Sequence, residues 1–161
     1  MLAQDLAAPY PTVRMDTPAR DAALLLAERH LPGLIVVDAN DHPVAILPGS
    51  QVLRVLVPSY VQDDPTLARV LEEEYADRIS DVLAGKTVRE MLPSDGRKLP
   101  VVGPDDTVLE IAAIMAANRS PLVAVVEQRN RRAPLLGVVT ASDLLERLLA
   151  GTAGDPRTED T

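Results

Sequence analysis

Three residues within one seven-residue segment, 137–143, could take part in ligand chemistry. Gly137 has no side chain, so another group can approach its backbone closely. Thr140 comes directly before a leucine-rich stretch with helical spacing, so its hydroxyl should lie at a helix N-terminus, where free amides and the helix dipole favour phosphate. Asp143 could then accept hydrogen bonds from hydroxyl groups of the same ligand. The segment therefore predicts a small-molecule site at a strand-to-helix junction.

The same side chains also fit a purely structural role. A threonine followed three residues later by an acidic residue is a capping arrangement, which satisfies unpaired amides at the start of a helix. Such a cap stabilises a protein by about 1 kcal/mol, which is reason enough to keep it without a ligand. The motif alone does not separate ligand binding from capping, and both interpretations stay open.

The elements around this segment form a pattern that occurs twice in the chain. In the second half a helix, two β-branched strand runs and a closing helix are predicted at 107–118, 122–126, 135–139 and 142–149. In the first half the corresponding elements are predicted at 17–30, 34–37, 44–47 and 51–56. Each copy contains a hairpin, so the repeat predicts two β-α-β-β-α units.

Neither copy is long enough to bury both faces of its sheet well, because about 60 residues make a marginal core. We therefore expect an α/β (α+β) fold in which the two tandem repeats pack through their sheets.

Threonines mark the helix starts. Capping is expected for Thr17 with Pro18 at the first helical position, for Thr87 with Glu90, and for Thr107 with Glu110.

The segment between the copies has no counterpart in the repeat. Asp64-Pro65 begins a predicted helix that runs to Gly85, and a short helix at 87–92 leads into the second copy, with Leu2–Leu6 as its weaker counterpart. The acidic run Glu72–Glu74 is interpreted as a solvated face, with a contact surface for a partner protein as the alternative.

Composition excludes several classes of function. The 161 residues carry a formal charge of −8 and include three Tyr but no Phe or Trp, which disfavours nucleic acid as a partner. The chain has no Cys, and His30 and His42 are interpreted as surface or turn residues, so no metal site is expected. No stretch is apolar enough for a membrane span and no basic leader is present, so we expect a cytoplasmic protein without membrane insertion. No catalytic constellation is found, so we do not expect an enzyme.

The repeat resembles the cystathionine beta-synthase (CBS) domain, and the tandem pair resembles a Bateman module. The segment 137–143 carries the most specific part of the resemblance, because it matches the family's pattern of Gly, apolar residues, Thr or Ser, and Asp before a Leu-rich helix. The resemblance implies binding of AMP, ADP, ATP or a related adenosyl ligand in clefts between the two repeats. It implies CBS repeats at 1–57 and 87–151. From the residues themselves we expect an inserted helical linker at 58–86 and a disordered tail at 152–161.

The resemblance also implies roles for particular residues. The nucleotide-binding residues that it implies are Gly137, Thr140, Asp143, Pro100, Val101, Arg119, Pro121 and Leu122. Of these, Thr140 would contact phosphate and Asp143 would hold the ribose. Backbone around Pro100-Val101 and Pro121-Leu122 would line the adenine pocket, and Arg119 would face the cleft.

The first copy departs from this pattern at its equivalent segment, 45–51. Gly is replaced by Ala45, Thr by Pro48 and Asp by Gln51. Pro48 has neither a hydroxyl nor an amide donor, and Gln51 carries no charge to hold a ribose diol. We therefore expect the first-copy site to be lost or altered, which leaves at most one ordinary nucleotide site.

The function that these features predict is that of a stand-alone regulatory module. Ligand binding would favour one arrangement of the repeats, and a separate protein, such as a transporter, a channel or a metabolic enzyme, would respond to it. The resemblance also implies a homodimer. The alternative is a ligand-free dimerisation or docking module, in which Thr140 and Asp143 are simple caps.

Overall fold

The computed structural model describes residues 1–69, 75, 78–94, 99–127 and 132–150. The run Glu72–Glu74 and the tail at 152–161, for which we predict a solvated face and disorder, lie outside these residues. Contacts divide the chain into two compact units. We call Pro11–Leu99 the first-repeat unit, and Met1–Tyr10 together with the residues from Pro100 onward the second-repeat unit. The second-repeat unit is therefore discontinuous in sequence.

The first-repeat unit contains the predicted β-α-β-β-α order. The helix that precedes it in the chain is α1, Ala3–Leu6, and its own elements are β1 Thr12–Arg14, α2 Ala19–Glu28, β2 Gly33–Val37, β3 Pro43–Pro48 and α3 Gly49–Leu56. The strand order is β1-β2-β3, with β1 parallel to β2 and β2 antiparallel to β3. The unit continues through α4 Ser59–Asp63, a 3-10 turn at Pro65–Leu67, α5 Ile79–Leu83 and α6 Val88–Met91.

The second-repeat unit has the same topology. Its elements are β4 Val101–Val102, α7 Val108–Asn118, β5 Leu122–Val126, β6 Leu135–Thr140 and α8 Ala141–Ala150, together with α1. The strand order is β4-β5-β6, again with one parallel and one antiparallel pair. Two three-stranded sheets with helices confirm the predicted fold class. The short leading helices are exchanged, because α1 belongs to the second-repeat unit and α6 to the first.

The central strands explain why each unit folds around its sheet. All five residues of β2 and all five of β5 are buried, which accounts for continuous apolar runs in place of strict alternation. In the second-repeat unit, Val123 and Val125 pack with Ile111 and Met115 of α7. These contacts hold α7 on the sheet and fix the strand ends that lead to the candidate site.

One of the three predicted helix caps is confirmed and two are wrong. Thr107 and Glu110 form the reciprocal box that their spacing predicts. Thr17 does not cap α2, because its hydroxyl accepts from the Arg14 amide at 2.9 Å. Thr87 makes no side-chain cap, because the Glu90 amide donates to the Thr87 backbone carbonyl at 3.1 Å.

Candidate functional site

Thr140 lies where the last strand of the second-repeat unit gives way to its last helix. β6 ends there because Thr140 is opposite Leu122, the first residue of β5, so no further strand pairing is possible. The next amide, that of Ala141, donates to the Pro121 carbonyl at 2.9 Å and begins α8. The pairing of Thr140 with Leu122 and the hydrogen bond from Ala141 to Pro121 therefore fix the position of the helix start.

The side chains of Thr140 and Asp143 are used differently. The Asp143 amide donates to Thr140 Oγ1 at 3.1 Å, so the threonine caps the helix. No hydrogen bond or ion pair to the Asp143 carboxylate is found among the described residues. At α7, by contrast, the Glu110 amide donates to Thr107 Oγ1 at 3.3 Å, and the Thr107 amide donates back to Glu110 Oε2 at 2.7 Å. Capping therefore accounts for Thr140 but leaves the half-buried Asp143 carboxylate unused.

The backbone of Pro121 and Leu122 lies beside this junction, as the predicted site requires. The Leu122 side chain is fully buried, so only its backbone could face a ligand. The hydroxyl of Ser120 donates to the Leu122 carbonyl at 2.7 Å and so restrains the two residues that precede β5. Ser120 is a supporting residue that no sequence pattern singled out.

Pro100 and Val101 lie on the far side of β5 from Thr140. Val101 is opposite Ala124 in the parallel pair, and the Pro100 carbonyl accepts from the Ala124 amide at 3.1 Å. Because neighbouring strands lie about 4.8 Å apart, β4 and β6 are separated by about 10 Å. The backbone segments Pro100-Val101 and Pro121-Leu122 thus belong to the same sheet, the first at the start of β4 and the second at the start of β5.

Gly137 has a different environment from the one we predicted. It is opposite Val125, three residues along β6 from Thr140, which is about 10 Å. A Cβ at Gly137 would lie 2.8 Å from Ala7 Cβ and 3.1 Å from the Ala8 amide nitrogen. The amides of Ala8 and Val138 also donate to each other's carbonyls, at 3.1 and 3.0 Å. The close approach that Gly137 permits is therefore made by the chain's own N-terminal segment.

Arg119 lies at the C-terminal end of α7 in the left-handed region, with a φ of 49°. Its side chain is exposed and borders an apolar groove of about 490 Å³ between α7 and α8. Pro121, Ala141 and Leu144 also line this groove, whereas Asp143 does not. The structure thus places Arg119 at this groove, whose lining does not include Asp143.

The equivalent junction in the first-repeat unit has lost the hydroxyl and the carboxylate. β3 ends at Pro48, and the Gln51 side-chain amide donates to the Met91 carbonyl at 3.0 Å. Gln51 therefore ties α3 to the end of α6. That the first site is lost or altered stays a prediction.

The histidines do not form part of a ligand cluster in the described chain. His30 is exposed at the end of α2, and His42 lies in the turn after β2 with its Nδ1 3.3 Å from Asp38 Oδ2. The His42 amide, together with the Asn40 amide and the imidazole, holds the pKa of Asp38 below its ordinary value. Within the described ranges, no three potential metal-binding side chains come together. No helix in those ranges has the length and apolar character to cross a membrane.

Comparisons with known proteins agree with this architecture. A family model described as the CBS domain matches residues 3–58 and 88–150. A CBS domain-containing protein of unknown function from Kribbella flavida DSM 17836 is 56% identical, with 92% of this chain and 99% of that chain covered and a TM-score of 0.79. No match is found among the curated proteins.

Two more distant structures share the fold. The CBS domain of a CBS domain containing membrane protein from Sphaerobacter thermophilus is 25% identical over 91% of this chain and 86% of that chain, with a TM-score of 0.66. CBSX2 in complex with AMP is 21% identical over 94% of this chain and 98% of that chain, with a TM-score of 0.65. Both copies of the repeat match the family model, and the chain therefore belongs to the CBS domain family as a CBS pair.

Proposed function

We propose that this CBS pair binds an adenine nucleotide through Thr140 and Asp143 and acts as a regulatory module for another protein. The observation that carries the proposal is the half-buried Asp143 carboxylate, which has no partner among the described residues although its amide is capped by Thr140. A carboxylate at a helix start that accepts no hydrogen bond from the described residues is an acceptor available to a ligand.

The geometry suits a ribose phosphate. Thr140 Oγ1 accepts from the Asp143 amide, and a hydroxyl that accepts one hydrogen bond can still donate its proton to a phosphate oxygen. The N-terminus of the ten-residue helix α8 adds its dipole to that interaction. Asp143 would accept from the ribose hydroxyls, and the backbone of Pro121 and Leu122 would border the base.

CBSX2 supplies an example of this fold with AMP. At 21% identity the likeness concerns the fold alone, so the case for a nucleotide in this chain depends on its own Thr140 and Asp143. The first-repeat unit has Pro48 and Gln51 at the equivalent positions, and Gln51 is already hydrogen-bonded within the fold. We therefore propose one nucleotide site in each chain.

Regulation would follow from linkage. A nucleotide that prefers one conformation of the pair shifts the population towards it, and a partner that distinguishes the conformations responds to the difference. The size of the response is limited by the difference in nucleotide affinity between the two conformations. The candidate partner is a transporter, a channel or a metabolic enzyme.

A thermal-shift screen tests nucleotide binding. A dye is needed because the chain has no Trp. A ligand at about 100 times its Kd stabilises the native state by about 2.7 kcal/mol, which should raise the Tm by about 5–10 °C. We expect a saturable shift with AMP, ADP or ATP and none with inorganic phosphate at the same concentration. No shift with any adenine nucleotide would contradict the proposal.

Self-association is a second candidate function, favoured by the apolar surface of α7 and α8. Leu145 and Leu148 line the groove between these helices and are 56% and 42% exposed, and Leu109 of α7 is 75% exposed. Leu24 and Leu53 give the corresponding helices of the first-repeat unit exposed leucines as well. A second copy of the chain would bring a matching apolar surface, since a two-fold interface uses the same surface on both partners.

A further inference from the structure

A second, polar pocket lies in the first-repeat unit and is not used by the proposed nucleotide site. It measures about 400 Å³, which is within the range of small-molecule sites. Its described lining comes from α3, from α4, and from the residues after α6, and consists of Gln51, Arg54, Val55, Ser59, Gln62, Pro93 and Ser94. The helix α4 belongs to the inserted segment, so this part of the pocket has no counterpart in the second repeat.

Side-chain amides hold the walls of this pocket in place. The Gln62 amide nitrogen donates to the carbonyls of Arg54 and Val57, at 3.1 and 2.7 Å, and so attaches α4 to the end of α3. The Gln51 amide nitrogen donates to the Met91 carbonyl at 3.0 Å and attaches α3 to the end of α6. A pocket whose walls are already ordered loses less entropy when it binds a ligand.

The chemistry of the lining selects an anion that also carries a hydrogen-bond donor. Arg54 is the only charged residue of the described lining, and its guanidinium makes no ion pair with another described residue. A guanidinium binds a carboxylate in a bidentate manner. Gln51 and Gln62 direct their NH₂ groups to backbone carbonyls, which leaves their Oε1 atoms as acceptors, and two serine hydroxyls complete the polar surface.

We propose that this pocket binds a small carboxylate that bears a hydroxyl or amino group. The carboxylate would pair with Arg54, and the hydroxyl or amino group would donate to Gln51 or Gln62. A phosphate dianion fits less well, because one guanidinium neutralises only part of its charge and the amide oxygens would repel the remainder.

The test is a titration of the full chain with lactate, followed by NMR of the side-chain amides of Gln51 and Gln62. We expect saturable shifts with a Kd in the millimolar range. Arg54→Ala should weaken binding by about tenfold or more, and Arg54→Lys should weaken it less, because the lysine keeps the charge but loses the fork. Arg20→Ala, which removes an exposed arginine of α2, is the matched control and should leave lactate affinity unchanged.

Four outcomes would overturn the proposal. Absence of a saturable shift with lactate, or equal affinity in Arg54→Ala, would exclude the site. Propionate binding as tightly as lactate would show that the hydroxyl makes no contact. Inorganic phosphate binding more tightly than lactate would contradict the carboxylate assignment. Asp143→Asn should leave lactate binding intact, so failure at this pocket is distinguishable from failure of the nucleotide site.

Discussion

At the scale of single residues, Thr140 and Asp143 can be separated by mutation because they make different contacts. Asp143→Asn removes a negative charge that accepts no hydrogen bond from the described residues but lies in the first turn of α8, so stability should fall by about 0.3–1 kcal/mol through the lost interaction with the helix dipole. Nucleotide affinity should fall about 10- to 100-fold, since a hydrogen bond to a charged group contributes about 1.5–3 kcal/mol. Urea unfolding and calorimetric titration measure the two effects. Unchanged affinity would remove Asp143 from the site.

Thr140→Val provides the complementary change. It deletes the hydroxyl that accepts from the Asp143 amide at 3.1 Å, so unfolding should become easier by about 1 kcal/mol. If the hydroxyl also donates to phosphate, AMP affinity should fall while adenosine affinity changes less. Equal affinity for AMP before and after the substitution would mean that Thr140 is only a cap.

At the scale of elements, Gly137 joins the N-terminal segment to the edge of β6. Gly137→Ala places a Cβ 2.8 Å from Ala7 Cβ, so Ala7 and Ala8 must move and the backbone pairing with Val138 should weaken. We expect a loss of about 1–3 kcal/mol in urea unfolding, with faster hydrogen exchange at the Ala8 and Val138 amides. A variant as stable as the parent would contradict this packing role.

Gly49→Ala is the matched control for that substitution. A Cβ there meets only the Pro32 carbonyl, at 3.7 Å, and Gly49 is the first residue of α3. The alanine should be neutral or stabilising by up to about 1 kcal/mol, because it reduces the entropy of the unfolded chain.

The strands and helices follow from local sequence patterns, whereas the environment of Gly137 does not. The hairpins and closing helices could be predicted because β-branched runs and leucine spacing are local. The contact between Gly137 and Ala7 could not, since it joins opposite ends of the chain. The cap at Thr107 was predictable, whereas the Thr17 hydroxyl is taken by the Arg14 amide, a turn interaction that the capping pattern does not reveal. The five-residue helix α4 was missed because it is too short to show a period, although Pro58 precedes it.

At the scale of the whole molecule, the exposed leucines of α7 and α8 predict a homodimer. Light scattering should give twice the chain mass of 17.3 kDa, and Leu145→Glu should give the single-chain mass, because a buried charge without a partner opposes association. Leu136→Glu changes a leucine that is 51% exposed on β6 and should leave the mass unchanged. A 17.3 kDa species for the parent would reject the dimer.

The candidate site was predicted in outline but not in detail. The Thr140–Asp143 pair could be selected because a strand-to-helix junction is visible in the sequence, whereas the Pro121-Leu122 backbone was implied only by the resemblance to the CBS domain. The distance of Gly137 from that junction and its contact with Ala7 depend on the exchanged leading helices, which no local sequence pattern predicts. The polar pocket at Arg54 was missed for the same reason.

Calorimetric titration of the full chain with AMP is the decisive measurement for nucleotide binding, because it reports affinity and stoichiometry together. One nucleotide site at Thr140 and Asp143 predicts one AMP bound per chain, with affinity lowered about 10- to 100-fold in Asp143→Asn and unchanged in Gln51→Ala. No binding would make the chain a docking module, two AMP per chain would restore the first-repeat site, and unchanged AMP affinity in Asp143→Asn would place the nucleotide elsewhere. Each of these three results would contradict a single nucleotide site at Thr140 and Asp143.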